Sequence, residues 1–67
     1  MVEVEGARLQ RRRLRRGLTI KELGEIAGLK PGTIGRLEKS RGPARITTVR
    51  KLAKALEVDA IDLLVGK

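Results

Sequence analysis

A 20-residue segment, "TIKELGEIAGLKPGTIGRLE" (residues 19–38), carries the strongest local structural signals in this chain. Thr19 is followed three residues later by Glu22, which is the capping-box pattern that satisfies two backbone N–H groups at the start of a helix. Gly28 is of the residue type that most often follows the last residue of a helix. The apolar residues between these two signals recur at helical spacing. The pattern therefore predicts a short helix over residues 20–27.

The residues that follow predict that a second helix begins almost at once. The residue before a proline is excluded from the α region, so we expect Lys30 to be extended. Pro31 suits the first position of a helix, where its missing N–H is not needed. We predict a helix over residues 31–39 at a sharp angle to the preceding one. Gly35 within it costs about 1 kcal/mol relative to alanine, which indicates either a close backbone approach, for example to Gly24, or simply a weak helix.

The N-terminal third predicts one more helix. The segment "ARLQRRRLRR" consists of good helix formers and stops at Gly17, a typical residue just beyond a helix end. We therefore predict a helix over residues 7–16. The segment before it, residues 1–5, is too short for an independent strand, and we expect a loose or extended, flexible tail.

The C-terminal third predicts two further helices after the polar loop "SRGPAR". Apolar spacing predicts one helix over residues 48–56, capped by Thr47 or Thr48. A last short helix is predicted over residues 60–65, with Asp59 as its cap. The sequence thus predicts an all-α fold, a compact five-helix bundle that forms a single domain over residues 1–67.

The composition limits how such a bundle can be stabilised and what it can do. The chain has 67 residues and contains no Cys, His, Phe, Tyr or Trp. Disulfides and the usual zinc ligand sets are therefore excluded, and the core must be aliphatic. Without these residues, paired carboxylates in a cleft or a phosphate-binding loop, we expect neither an enzyme nor a cofactor.

The charge favours a polyanionic partner. Sixteen basic and eight acidic residues give a formal net charge of +8, and arginines are concentrated near the N-terminus. Such an excess points first to nucleic acid, although solvated arginines can also serve only solubility. No segment approaches the length of about 20 apolar residues that spans a bilayer, so we expect a cytoplasmic protein.

The order of these elements resembles the phage-repressor and Cro type of helix-turn-helix domain, the XRE family. The segments that carry the resemblance are "RRGLTIKELGEIAGL", "TIGRLE", "LAKAL" and "DAIDLL". It extends from Gly6 to Leu64 and implies a lambda-repressor-like DNA-binding domain, in which the second and third helices form the helix-turn-helix. The implied function is that of a sequence-specific transcriptional regulator of repressor type from a bacterium or phage. The alternative is an antitoxin or another protein-interaction module that also binds its own operator DNA.

The resemblance also implies an ion pair within the domain. Arg13 and Glu38 match the first-helix arginine and the third-helix glutamate that usually form a buried pair in this family. Such a pair would hold the recognition helix at a fixed angle to the first helix. The alternative is that both residues are ordinary surface charges.

The third helix is expected to read DNA, because the recognition helix of this motif lies in the major groove. Arg36 can bind guanine through two hydrogen bonds, and Thr33 can contact a base or a thymine methyl group. Pro31 and Gly32 occupy two positions where the family often has Gln, Ser or Arg, so direct reading of bases is expected to be poor. The N–H groups of Gly32 and Thr33 are expected to be free for a phosphate.

The remaining DNA-contact candidates are expected at phosphates. One of these positions, often Gln in the family, is Ile20 here, so a polar contact is missing. The other arginines of the first helix, such as Arg8, Arg11 and Arg15, are expected to fan out over more than one side. The full set of phosphate-contact candidates is Arg12, Ile20, Lys21, Lys30, Lys39, Arg41 and Arg45.

A homodimer is expected, because two-fold dimers usually read operators of this type. The family commonly dimerises through its C-terminal segment, where four apolar residues are candidates for the interface: Ile61, Leu63, Leu64 and Val65. For Leu63 and Leu64 the alternative is that they close the core of the monomer.

Overall fold

The computed structural model of the chain describes residues 1–66, which form four α-helices followed by one turn of 3₁₀ helix. The elements are α1 (Gly6–Arg15), α2 (Ile20–Ala27), α3 (Pro31–Glu38), α4 (Ile46–Leu56) and the 3₁₀ turn (Ala60–Leu63). The predicted all-α fold is confirmed, but the prediction of five α-helices is wrong. The last helix is only a four-residue 3₁₀ turn, because the backbone of Leu64 is already extended and pairs with Val4.

The α2–turn–α3 unit follows its local sequence signals. The Thr19 hydroxyl accepts a hydrogen bond from the Glu22 N–H at 3.0 Å, and the Glu22 carboxylate accepts one from the Thr19 N–H at 2.9 Å. Gly28 has a left-handed conformation with φ of 72°, which ends α2. Lys30 is extended and Pro31 is the first residue of α3. Both predicted helix starts are therefore confirmed.

The sharp turn between α2 and α3 depends on the small size of Gly24. A Cβ atom at this position would lie 2.6 Å from the carbonyl oxygen of Leu29, which is closer than real Cβ atoms approach. The N–H of Leu29 donates to the carbonyl of Gly24 at 2.8 Å. A Cβ atom at Gly35 would meet nothing within 4 Å. The suggested approach of Gly35 to Gly24 is therefore wrong, since Gly24 is close to the turn itself.

The core is aliphatic, as the composition requires, and every helix contributes to it. α1 packs against α3 and the 3₁₀ turn, while α2 packs against α3 and α4. The larger side chains that are fully buried are Leu9, Leu23, Ile34, Leu37, Val49, Leu52, Leu56 and Leu63. Because α3 contributes only Ile34 and Leu37, its remaining surface is left for other contacts.

The N-terminal segment is held in place by backbone hydrogen bonds, which differs from the predicted flexible tail. The N–H groups of Val2 and Ala44 each donate to the other's carbonyl at 2.8 Å, and Val4 forms a bridge with Leu64. The side chain of Val4 is buried in the core. The segment is therefore an extended arm that connects the α3–α4 loop to the C-terminal end of the chain.

α4 begins two residues earlier than predicted. Its first residue is Ile46 and its N-cap residue is Arg45, whose side chain makes no capping hydrogen bond. Thr47 and Thr48 lie inside the helix, so the prediction that one of them caps it is wrong. Asp59 is the N-cap residue of the 3₁₀ turn, but its side chain also makes no capping hydrogen bond.

Candidate nucleic-acid interface

The first helix is fastened to the third by the Arg13–Glu38 pair. Nε of Arg13 donates to Glu38 Oε2 at 2.6 Å, and Nη2 donates to Oε1 at 3.0 Å. A third hydrogen bond joins Nη1 to the carbonyl oxygen of Leu18 at 2.8 Å. The side chains of Arg13 and Glu38 are only 9% and 5% exposed. The geometry matches the predicted ion pair and differs from the surface-charge alternative.

The electrostatics of this pair keep Arg13 charged. Its hydrogen bonds to Glu38 raise the pKa of Arg13 above its ordinary value, while burial opposes this shift. Because the folded pKa is raised, the stabilisation is present below the unfolded pKa and is lost only as the pH rises through the folded pKa. Arg13 is therefore a permanent cation at neutral pH, and α3 is held on the body of the domain by two charge-assisted hydrogen bonds.

Close contact between α1 and the end of α3 adds to this attachment. The backbone of Gly6 packs against the carbonyls of Leu37 and Glu38, and a Cβ atom at Gly6 would overlap the Glu38 carbonyl. The Gly6 N–H also donates to the hydroxyl of Ser40 at 3.1 Å. These two contacts have no strong sequence signal, because they join residues more than thirty positions apart.

The outer side of α3 is open and carries few polar side chains. Pro31, Gly32, Arg36 and Lys39 are exposed, and Gly35 lies half-buried between them. Because an α-helix has 3.6 residues per turn, positions 31, 35 and 39 follow one side of it. Gly35 was not among the predicted base-contact residues, although the i, i+4 spacing from Pro31 to Lys39 indicates that it shares this surface.

Thr33 lies at the edge of this surface rather than at its centre. It is half-buried, and its N–H donates to the carbonyl of Lys30 at 3.0 Å. The prediction that the Thr33 N–H is free for a phosphate is therefore wrong. Its hydroxyl remains a candidate for contact at the edge of the surface.

Arg36 is exposed but already holds the loop that follows α3. Its Nη1 donates to the carbonyl oxygen of Arg41 at 2.7 Å and to that of Pro43 at 3.4 Å. Gly42, between these two residues, has φ of 91°, and a Cβ atom there would lie 3.1 Å from the same Nη1. Arg36 therefore links α3 to the loop over residues 39–45. Among the residues that the structure describes, only Nη1 is engaged, so Nε and Nη2 can still donate to a ligand.

Five of the predicted phosphate contacts are exposed and lie at the start of α2, just before α3 or in the loop over residues 39–45. Lys21 lies in the first turn of α2, and Lys30 precedes α3. The others follow α3 or flank the loop over residues 39–45. These five residues (the cationic rim) are Lys21, Lys30, Lys39, Arg41 and Arg45.

The remaining two phosphate-contact candidates lie elsewhere. Ile20 is half-buried, and its side chain packs against the core, so a polar side-chain contact from this position is excluded. Arg12 lines an open groove of about 330 Å³, and Asp62 of the 3₁₀ turn lines the same groove. The other residues of the groove are Arg8, Arg11 and Arg15, so the prediction that the α1 arginines fan out over several sides is wrong for this set.

The C-terminal candidates for a dimer interface divide into two groups. Ile61 and Val65 are 56% and 49% exposed, whereas Leu63 is 0% exposed. Leu64 is half-buried and forms the backbone bridge with Val4. The assignment of Leu63 to a dimer interface is wrong, because its side chain is enclosed by the core of its own chain.

Residues 1–66 contain neither a candidate metal site nor a membrane-spanning helix. No group of three or more acidic, His or Cys side chains has an arrangement that could hold a metal ion within this range. None of the helices in this part of the chain has the length and apolar character required to cross a membrane.

Several solved structures with the same arrangement come from regulatory proteins. The restriction-modification controller protein C.AhdI from Aeromonas hydrophila is 29% identical, with a TM-score of 0.83, and the match covers 88% of this chain and 89% of that one. The P22 c2 repressor, solved with a synthetic operator, is 26% identical with a TM-score of 0.86 and coverage of 97% and 98%. The SinR protein/SinI protein complex matches at 25% identity and a TM-score of 0.86, over 92% of this chain and 61% of that one.

The sequence comparisons give the family. No curated protein gave a significant match. The family model for the helix-turn-helix, HTH_3, matches residues 9–63, which include all four α-helices except the first residues of α1. This match confirms the resemblance to the phage-repressor type of domain. The chain belongs to the HTH_3 helix-turn-helix family.

Proposed function

We propose that this protein is a DNA-binding transcriptional regulator of repressor type that places α3 in the major groove of duplex DNA. The observation that carries the proposal is the open outer side of α3, which the Arg13–Glu38 pair fastens to α1 and which the exposed residues of the cationic rim precede and follow in the chain. A helix held in this way can enter the groove, which is about 12 Å wide, without losing its core contacts. The operator in the P22 c2 repressor structure and the regulatory role of C.AhdI support the same function here.

The cationic rim is suited to the phosphate backbones on either side of the groove. Arg and Lys side chains neutralise phosphates and release counterions, so the affinity falls as salt rises. If six phosphates are neutralised per dimer, the slope of log affinity against log salt is about −5. The formal net charge of +8 strengthens this attraction over the whole surface.

Base reading in this proposal rests mainly on Arg36. Pro31, Gly32 and Gly35 supply close approach but no side-chain donor or acceptor. The free Nε and Nη2 donors of Arg36 can bind the O6 and N7 atoms of guanine, while Nη1 keeps its contact with the loop. Further selectivity would come from the shape and deformability of the duplex.

The experiment is selection of binding sites from random duplex DNA with the unmodified protein and with Arg36→Ala. We expect a consensus sequence that loses a preferred guanine in the variant, at a cost of about 1–3 kcal/mol. Lys39→Ala, at the C-cap of the same helix, is the matched control, and it should weaken all sites to a similar extent. The absence of any consensus would contradict sequence-specific regulation, and a consensus unchanged by Arg36→Ala would contradict the role of Arg36.

The proposal includes a homodimer formed through the C-terminal segment. Ile61 and Val65 supply exposed apolar surface there, with half-buried Leu64 between them in sequence. Sedimentation at increasing concentration should show a dimer that Ile61→Glu weakens. The control is Leu14→Glu, because Leu14 is equally exposed on α1. A monomer at all concentrations would exclude this part of the proposal.

A second candidate function is a protein-interaction module that also binds its own operator, such as an antitoxin. Pro31, Gly32 and Gly35 on α3 favour this function, because they offer no side-chain hydrogen-bond donor or acceptor for reading bases. The SinR protein/SinI protein complex adds a related domain found with a protein partner. Co-purification of a second protein in fixed stoichiometry would favour this function, and a single polypeptide that binds its operator alone would favour the first. The controller protein and the repressor are regulators, which supports a role other than enzymatic catalysis.

A further inference from the structure

α1 has a second cationic surface on the side that faces away from α3. Its residues are spaced i, i+3, i+4 and i+7, so they follow one side of the helix over two turns. At about 100° per residue, three of them lie about 140–160° around α1 from Arg13, which faces α3. The four residues (the arginine stripe) are Arg8, Arg11, Arg12 and Arg15.

The arginine stripe forms one wall of the open groove of about 330 Å³, and Asp62 lies in the opposite wall. Four positive charges and one negative charge leave a net charge of +3 in this groove. Like charges at i, i+4 destabilise a helix, and α1 contains no acidic residue to offset them. A bound polyanion would relieve this repulsion.

The chemistry of the groove is suited to phosphate. The guanidinium group presents a planar fork that matches phosphate oxygens through two hydrogen bonds, which a lysine ammonium cannot do. The stripe extends about 10 Å along α1, which corresponds to roughly three phosphates of one DNA strand at 3.4 Å each. The groove lining contains no aliphatic or aromatic side chain, whereas the buried core of a protein–protein interface is largely apolar.

We propose that the arginine stripe binds the phosphate backbone of a second nucleic-acid segment while α3 holds the first. One molecule would then connect two duplexes, or two distant parts of the same DNA. This contact carries no sequence information, because phosphates are the same at every base pair. This inference rests on the proposed function, because α3 must bind the first duplex. It adds one requirement, which is that the protein binds two duplexes at the same time.

A capture experiment tests the proposal. Protein is loaded onto an immobilised duplex, and a fluorescent duplex of unrelated sequence is then added. The unmodified protein should retain the label at low salt. The variant with Arg8→Gln, Arg11→Gln and Arg15→Gln should retain at least about tenfold less, and the salt slope of capture should fall by about 3. Loading onto the first duplex should change by less than about threefold, since α3 and the cationic rim are intact.

The matched control removes three positive charges from the exposed side of α4. The variant with Arg50→Gln, Lys51→Gln and Lys54→Gln should retain the label within about twofold. If the arginine variant does not fold, the variant with Arg8→Lys, Arg11→Lys and Arg15→Lys keeps the positive charge but removes the planar guanidinium groups. That variant should retain at least about threefold less label.

Several results would overturn the proposal. One is that the unmodified protein retains no label. Another is that the control variant loses capture as strongly as the arginine variant. Equal loss of loading and capture in the arginine variant would mean that the stripe contacts the same duplex as α3. Displacement of the label by polyglutamate as efficiently as by duplex DNA would indicate an acidic protein surface instead. Failure of the proposed function appears separately, as failure of loading onto the first duplex.

Discussion

At the scale of single residues, two ion pairs of the chain have similar lengths and very different surroundings. The Arg13–Glu38 pair is buried, whereas the Arg16–Glu57 pair, at 2.7 Å, has side chains that are 45% and 69% exposed. Breaking a buried pair leaves one uncompensated charge inside the protein. Arg13→Ala should therefore lower the free energy of unfolding by about 3–5 kcal/mol, measured by urea denaturation.

The exposed pair is the control for this prediction. Arg16→Ala should change the free energy of unfolding by no more than about 1 kcal/mol, because water and salt screen exposed charges. Replacing both partners of the buried pair, with Arg13→Met and Glu38→Leu, should restore much of the loss. Equal effects of Arg13→Ala and Arg16→Ala would show that the buried position of the first pair has no energetic consequence.

At the scale of elements, the parts that could be predicted are those specified by neighbouring residues. The capping box at Thr19 and the proline at the start of α3 act within one helical turn, so sequence alone locates both helices. The early start of α4 and the 3₁₀ turn depend instead on distant backbone pairing. Ala44, just before α4, pairs with Val2, and Leu64, just after the 3₁₀ turn, pairs with Val4. No local pattern encodes such contacts.

The candidate site shows the same division. The exposed side of α3 could be predicted from helical spacing and from the family resemblance. The contact of Arg36 with the carbonyl of Arg41 could not, because it requires the left-handed conformation of Gly42 in an irregular loop. The grouping of the α1 arginines on one side could have been predicted from their helical spacing, whereas the groove that they form with Asp62 could not, because it depends on the position of the 3₁₀ turn.

The capping box provides a prediction for α2. Thr19→Ala removes the hydroxyl that accepts from the Glu22 N–H and should lower the free energy of unfolding by about 1 kcal/mol. Thr47→Ala is the control, because Thr47 lies inside α4 and is exposed. Thermal denaturation should show a clearly lower midpoint for the first variant only. Similar losses from both would mean that Thr47 contributes to a helix start after all.

The two glycines within helices make opposite predictions. Gly24→Ala would bring a methyl group against the Leu29 carbonyl and should destabilise the domain by about 1–3 kcal/mol. Gly35→Ala meets no neighbour and should stabilise it by about 0.5–1 kcal/mol through helix propensity. Urea denaturation of both variants gives the comparison. A stabilising Gly24→Ala would contradict the close approach at the α2–α3 turn.

At the scale of the whole molecule, the N-terminal arm closes the fold by joining its two ends. Val4 is buried, while Met1 is exposed and makes a suitable control. Val4→Ala should lower the free energy of unfolding by about 1–3 kcal/mol, and Met1→Ala should have almost no effect. Urea denaturation measures both. An unchanged urea midpoint for Val4→Ala would indicate that residues 1–5 are a flexible tail, as the sequence suggested.

The molecule as a whole therefore presents two cationic surfaces that differ in origin. α3 and the cationic rim follow from the helix-turn-helix itself, while the arginine stripe is a feature of α1 in this chain. Three residues of the stripe lie about 140–160° around α1 from Arg13, which faces α3. A single straight duplex bound at α3 is therefore not expected to contact the stripe as well. In the proposed function, α3 makes the primary DNA contact and the stripe makes an additional one.

The most direct test of the central claim is the amide NMR spectrum of the labelled protein during titration with one equivalent of a selected duplex. If α3 enters the major groove, we expect the largest shift changes at Gly32, Gly35 and Lys39 along its outer side, with smaller changes along the loop over residues 39–45. Amides of α4 should change little. Changes concentrated on α4 or on the C-terminal segment, with α3 unaffected, would contradict the placement of α3 in the major groove.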